Sequence, residues 1–151
     1  MTSPDPISVP AEAMLSLESG GGFDVILRNY QTWLVCGGRD FTDAAMFNSA
    51  MGDLLRLRGW PDLIVHGGAR GADALAGTWA RDKGIHVHPE PAEWDKHGKA
   101  AGPIRNQKML ELFDVHFVVA FPGGRGTADM IDRARKAGID VAEIKPKEFL
   151  P

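Results

Sequence analysis

The chain has 151 residues, 44% hydrophobic and 25% charged, with a formal net charge of −3. That length suits one domain whose core needs neither disulfides nor a structural metal, and its one cysteine, Cys36, excludes an intrachain disulfide. The negative balance argues against a dedicated duplex-DNA binder, and the absence of a bilayer-length apolar run or a secretion-type leader makes a cytoplasmic location and no membrane partner the expectation.

Residues 1–30 read as a flexible N-terminal arm or lead-in, broken by Pro4, Pro6 and Pro10 and closed by Gly20-Gly21-Gly22, with room for a short helix at Ala11–Glu18. Residues 23–31 fit an extended lead-in, an extra edge strand or part of that arm. The domain proper is expected over 31–151. Its first strand is Trp33–Cys36, followed by a helix with Thr42 or Asp43 as N-cap and Gly59 as its stop. Ala44, Phe47, Met51, Leu54 and Leu55 fall at helical spacing. A second strand over Asp62–His66 leads to a helix ending near Lys83, with Gly84 beyond, and a third strand covers Ile85–His88. A long loop, Pro89 to Gly102, precedes a helix from about Pro103 to Phe113. Then come a strand over Val115–Phe121, a helix ending near Lys136-Ala137, and a last strand over Asp140–Ile144.

Strands alternating with helices predict a Rossmann-like, three-layer α/β/α fold with a mostly parallel sheet of about five strands, in the order 3-2-1-4-5. Ligands of such sheets bind beyond the carboxyl ends of the strands, where the strand order reverses. Glycine clusters follow the first, second and fourth strands, so that order would join them into one floor.

The densest cluster is PGGRGT at 122–127, between a strand and a helix. Pro122, Gly123, Gly124, Gly126 and Thr127 are therefore candidate ligand-binding residues. Backbone N–H groups at a helix start attract an anion such as phosphate, and Thr127 adds a hydroxyl. HGGARGAD at 66–73 offers Gly67, Gly68, Arg70 and Gly71 on the same grounds. Asp73 either caps the helix or hydrogen-bonds a ribose hydroxyl, and His66 reads as a structural hydrogen-bonding residue. CGGRDFTD at 36–43 offers Gly37, Gly38 and Arg39. Its spacing is not GxGxxG and no acidic residue clearly ends the second strand, which disfavours the usual mode of NAD binding. Arg39 and Asp40 pair with each other or with a ligand. In GPIRNQKM at 102–109, Arg105 and Lys108 share a helix face, and a cation near a helix start opposes the dipole unless an anion is present. Arg105 and Asn106 are candidates there. Trp94 and His97, in the long loop, either cover a base or anchor the loop. His86 and His88 lack a completing ligand set, so neither a metal nor a resident cofactor is expected. Cys36, inside an apolar run, reads as a buried strand residue.

Taken together and in this order, CGGRDFTD, HGGARGADALA, GPIRNQKM and VVAFPGGRGTADM resemble the SLOG superfamily, named for its SMF/DprA and LOG members, and most nearly its YspA/YpsA-related branch. HGGARGAD is similar to the glycine motif of DprA/SMF proteins. PGGRGT with Arg105 upstream is similar to the LOG proteins, which are cytokinin riboside 5′-monophosphate phosphoribohydrolases. The resemblance implies a Rossmann-like fold, a nucleotide or phosphoribosyl ligand and a homodimer formed through helices flanking the sheet. LOG enzymes read PGGxGTxxE and RKxxM, with the arginine and the glutamate catalytic. Here Met130 stands at the glutamate position, Asp129 lies one residue earlier, and Asn106 replaces the lysine. Arg105 and Asp129 are the matching catalytic candidates. Asp129 is shorter and is expected about 100° away around an ideal helix.

The leading expectation is a domain that binds or senses a nucleotide or phosphorylated ribose derivative. The alternatives are a nucleoside 5′-monophosphate phosphoribohydrolase, with Asp129, Asp73 or Asp40 as its carboxylate, and a DprA-like single-strand DNA module. The missing glutamate weighs against the first alternative, and restoring it by Met130→Glu is expected to raise activity. The acidic balance and the lack of a basic or aromatic stripe weigh against the second, so nucleic acid is disfavoured as a partner.

Overall fold

A computed structural model of the chain describes residues 30–146. The arm expected over 1–30 therefore lies, apart from Tyr30, outside the described residues. Among the described residues, five strands and five α-helices follow in chain order: β1 (Thr32–Cys36), α1 (Ala44–Arg58), β2 (Leu63–His66), α2 (Ala72–Asp82), β3 (His86–Pro89), the short α3 (Trp94–His97), α4 (Ala101–Leu112), β4 (Phe117–Ala120), α5 (Arg125–Lys136) and β5 (Asp140–Glu143). The strands form one sheet in the order β3-β2-β1-β4-β5, every neighbouring pair parallel. Both the fold class and the strand order agree with the sequence reading.

Period-two alternation explains why two helical layers are needed. Trp33, Val35, Ile64, Phe117 and Val119 project to one face, where they pack with Phe47 and Met51 of α1 and with Ala76, Trp79 and Ala80 of α2. Leu34, Leu63, Val65 and Val118 project to the other, against Met109 of α4, Phe113 just beyond it, and Met130 and Ala134 of α5. Strands buried on both faces read as continuous apolar runs, as these do. Asp43 is the N-cap of α1: its Oδ1 accepts from the Met46 N–H at 3.0 Å. Gly59 closes the same helix at φ +83°, a left-handed conformation that favours glycine.

The stretch between β3 and α4 differs from the sequence reading. Residues Pro89 to Gly102 are not one open loop: α3 and a 3₁₀ turn (Gly98–Ala100) run straight into α4. Pro89, Pro91, Gly98 and Gly102 look like breaks. But proline is tolerated in a first helical turn, so Pro103 allows α4 to begin at Ala101, and the neighbouring alanines favour helix.

Candidate functional site

The carboxyl ends of β1, β2 and β4 open into one cleft of about 440 Å³, closed on the far side by α3 and α4. Gly37, Gly38, Arg39, Gly67, Asp73, Arg105, Asn106, Gly124, Gly126 and Thr127 all line it. Cys36, Ala69, Trp94, Gly102 and Met109 complete the wall.

The glycines serve two different ends. Gly38 is where the loops meet: its N–H donates to the Pro122 carbonyl at 2.8 Å, and its own carbonyl accepts from the Ala72 N–H at 3.1 Å. A Cβ on Gly37 would lie 2.6 Å from the Ala72 Cβ, and one on Gly123 would run into Thr127 and the Gly38 nitrogen. A Cβ on Gly71, which sits at φ +78°, would strike the Gly38 carbonyl. These positions have no side chain because three loops are packed on one another. At Gly124 and Gly126, by contrast, a Cβ would meet nothing within 4 Å. Gly124 is also the N-cap of α5, with no side chain capping that helix and no acidic residue in its first turn.

Several expected contacts are absent from the cleft. Pro122, Gly123 and Gly71 are consumed in loop packing. Gly68 turns toward Pro91. Arg70 points outward and pairs with Asp40 at 3.3 Å, because the Gly71–Gly38 approach brings those two loops side by side. Asp40 thus pairs with Arg70 rather than Arg39. Lys108 pairs with Glu90 at 2.9 Å. His66 accepts the Gly68 N–H at Nδ1, 2.9 Å away. Burial, with the nearby positive charges of Arg81 and Arg105, lowers its pKa to about 4.

Arg105 is not an exposed helix cation. Its guanidinium donates to the Gly67 carbonyl at 2.7 Å, to the Glu90 carbonyl at 3.3 Å and to Asn106 Oδ1 at 3.0 Å. Burial pulls its pKa below the ordinary arginine value, opposed by Asp73 and reinforced by Arg39. Asn106 is buried, and both its amide hydrogens are engaged, by the Gly126 carbonyl at 3.1 Å and by Asp129 Oδ2 at 3.0 Å. Its place in the wall is therefore that of a brace between α4 and α5, with little capacity left for a ligand.

The two candidate carboxylates part company. Asp129 does not line the cleft; it accepts from Asn106 and from Arg133 Nε at 2.8 Å. Partial burial raises its pKa, but those two hydrogen bonds outweigh this and hold it below the ordinary value. Met130 is sealed in the core beneath the cleft. Asp73 faces the cleft. It does not cap α2, whose N-cap is Gly71; instead its Oδ2 accepts the Ala69 N–H at 3.1 Å. Burial raises its pKa, against the opposing pull of Ala69 and Arg105. Burial also raises the pKa of the Cys36 thiol far above its ordinary value, and the Asp73 charge adds to this, so the thiol in the wall stays neutral. The cleft thus holds two guanidinium groups against one carboxyl. Among the described residues no cluster of three or more His, Cys, Asp or Glu could hold a metal, and no helix is long and apolar enough to cross a membrane.

Sequence reasoning missed Gly102, Ala69 and Met109. Gly102 and Met109 are the two ends of the GPIRNQKM motif, so that motif was the available signal for both; Ala69 carries none.

Comparison with known proteins agrees with this architecture. The family described as YspA, cpYpsA-related SLOG matches residues 34–97, a stretch carrying the first two glycine loops and ending in α3. The chain is 40% identical over 121 residues to the Gene 61 protein of Mycobacterium phage D29, covering 76% of this chain and 96% of that protein. Among solved structures, the Moco carrier protein from Chlamydomonas reinhardtii superposes with a TM-score of 0.50 at 18% identity, over 76% of each chain, which reflects a shared fold. With a 40% identical relative matched over nearly its whole length and the family model matching residues 34–97, the chain belongs to the YspA, cpYpsA-related SLOG family.

Proposed function

We propose that the cleft binds a nucleotide or phosphorylated ribose derivative, its phosphate at the start of α5 beside Gly124, Gly126 and Thr127. One observation carries this reading: a helix start without a side-chain cap, flanked by two glycines with open space over them, faces a cleft where Arg39 and Arg105 outnumber the single carboxyl of Asp73. Backbone N–H groups and excess positive charge in a concave, partly desolvated site favour an anion, and the volume suits a small ligand. The fold is shared with the Moco carrier protein, which supports the coarser statement that the cleft holds a small molecule. The cytoplasmic location and homodimer expected from the sequence belong to the same proposal.

The test is calorimetric titration with AMP, GMP, CMP, UMP and ADP-ribose, alongside inorganic phosphate. Binding by at least one nucleotide, lost in Gly124→Val, is the expected result. A folded Gly124→Val protein with unchanged affinity would move the phosphate site elsewhere.

A further inference from the structure

Trp94 differs from the other tryptophans. Trp33 and Trp79 are core residues at 1% and 5% exposure, and Trp60 lies far from the cleft, beside Arg58 and Gly59. Trp94 lines the cleft with 46% of its surface open. The edge of its ring rests over Gly102, the second residue of α4, within van der Waals reach of where a Cβ would stand, 3.5 Å away. Its face is already covered by a planar group: the Arg39 guanidinium lies 5.1 Å from the ring centroid. Arg39 forms no ion pair with a carboxylate among the described residues, so exchanging this partner breaks no salt bridge. An indole face at the rim of a cleft, covered only by a guanidinium that has no carboxylate partner, is a surface on which flat rings stack.

We propose that the face of Trp94 now covered by Arg39 is the stacking platform for a planar heteroaromatic ring. On the phosphate-binding reading above, on which this rests, the ligand is then a phosphate ester carrying a base, not a bare sugar phosphate. The ring takes the place of the guanidinium over the indole, and Arg39 turns inward to the anion. Its charge already acts on both Arg105 and Asp73 across the cleft, and all three side chains line it.

The experiment uses the full chain carrying Trp60→Phe, which leaves Trp94 as the exposed emitter. Its fluorescence is followed during titration with AMP, GMP, CMP, UMP and ribose 5-phosphate. At least one nucleotide is expected to quench Trp94 and to bind about five- to hundredfold more tightly than ribose 5-phosphate, the range of one base–aromatic stack. Followed by calorimetry, Trp94→Leu is expected to abolish that advantage while leaving ribose 5-phosphate affinity unchanged, and Trp94→Phe to restore part of it. Equal affinities for ribose 5-phosphate and all four nucleotides would overturn the stacking platform alone. So would a Trp94→Leu loss that falls equally on both ligand classes. No binding by any of the five would overturn the phosphate-binding reading as well.

Discussion

The Arg105 guanidinium donates to the Gly67 carbonyl at 2.7 Å, tying α4 to the loop after β2 across 38 residues of chain. The same arginine faces the cleft, so one side chain both holds two walls together and lends its charge to what lies between them.

Arg105→Ala is therefore expected to cost stability as well as affinity. Removing a charged donor from partly buried carbonyls costs about 1.5–3 kcal/mol, where an exposed helix cation would cost only tenths. Urea unfolding should show the loss without ligand present. Arg105→Lys should recover part of it, since an ammonium keeps the charge but not the fork that reaches Gly67, Glu90 and Asn106. An unchanged unfolding midpoint for Arg105→Ala would contradict the brace.

The glycines should respond to mutation in two ways. Gly126 lies inside α5 with open space around it, so Gly126→Ala is expected to raise stability by up to about 1 kcal/mol while weakening nucleotide binding. At Gly37 the added methyl would sit 2.6 Å from the Ala72 Cβ and 2.9 Å from the Phe121 Cβ. Gly37→Ala should therefore destabilise by about 1–3 kcal/mol. Thermal melts and ligand titrations on the same two proteins separate the roles.

Stability should fall on mild acidification because of His66. Its folded pKa is lowered to about 4 by burial, while in the unfolded chain it stays near 6.5. Between those values the unfolded state binds the extra proton, so stability present above pH 6.5 is lost progressively as pH falls toward 4. The loss is on the order of 2 kcal/mol. His66→Asn keeps an acceptor for the Gly68 N–H and removes the titration, so its stability between pH 7 and 4.5 should be flatter than that of the unmodified protein.

Catalysis of the LOG kind is not expected, and Met130→Glu should not create it. The Met130 side chain packs with Leu34, Val65, Met109 and Val118, so a carboxylate there would be buried in apolar surroundings instead of reaching the cleft. The expected outcome is a loss of several kcal/mol, the effective penalty for burying an unpaired charge, with no release of base from nucleoside 5′-monophosphates. If base release is found in the unmodified protein, Asp73 is the carboxyl to change first, because it alone of the candidates lines the cleft. Activity lost in Asp129→Asn but kept in Asp73→Asn would reverse that assignment.

Much of this molecule is local and therefore legible along the chain. Apolar runs such as Ile64–Val65 and Val118–Val119, each ending in glycines and a helix, dictate a parallel sheet, because strands buried on both faces need helices on both sides. The Asp43 cap and the stop at Gly59 are equally local, since each depends on hydrogen bonds within a single helical turn or on one residue's backbone.

What the tertiary structure alone decided is the division of labour among similar residues. Gly123 and Gly124 are neighbours in one motif, yet the first is pressed against Thr127 and Gly38 while the second opens on the cleft. That difference depends on which loops touch, and the sheet brings Gly38 and Pro122 together from 84 positions apart. Asp129 and Met130 differ for the same kind of reason. Helical phase sets the angle between them, but only the packing of α5 on α4 and the sheet turns Met130 into the core and Asp129 to Asn106 and Arg133. Side-chain roles at this site follow from contacts across 20 to 84 residues of sequence, for which adjacent residues carry no signal.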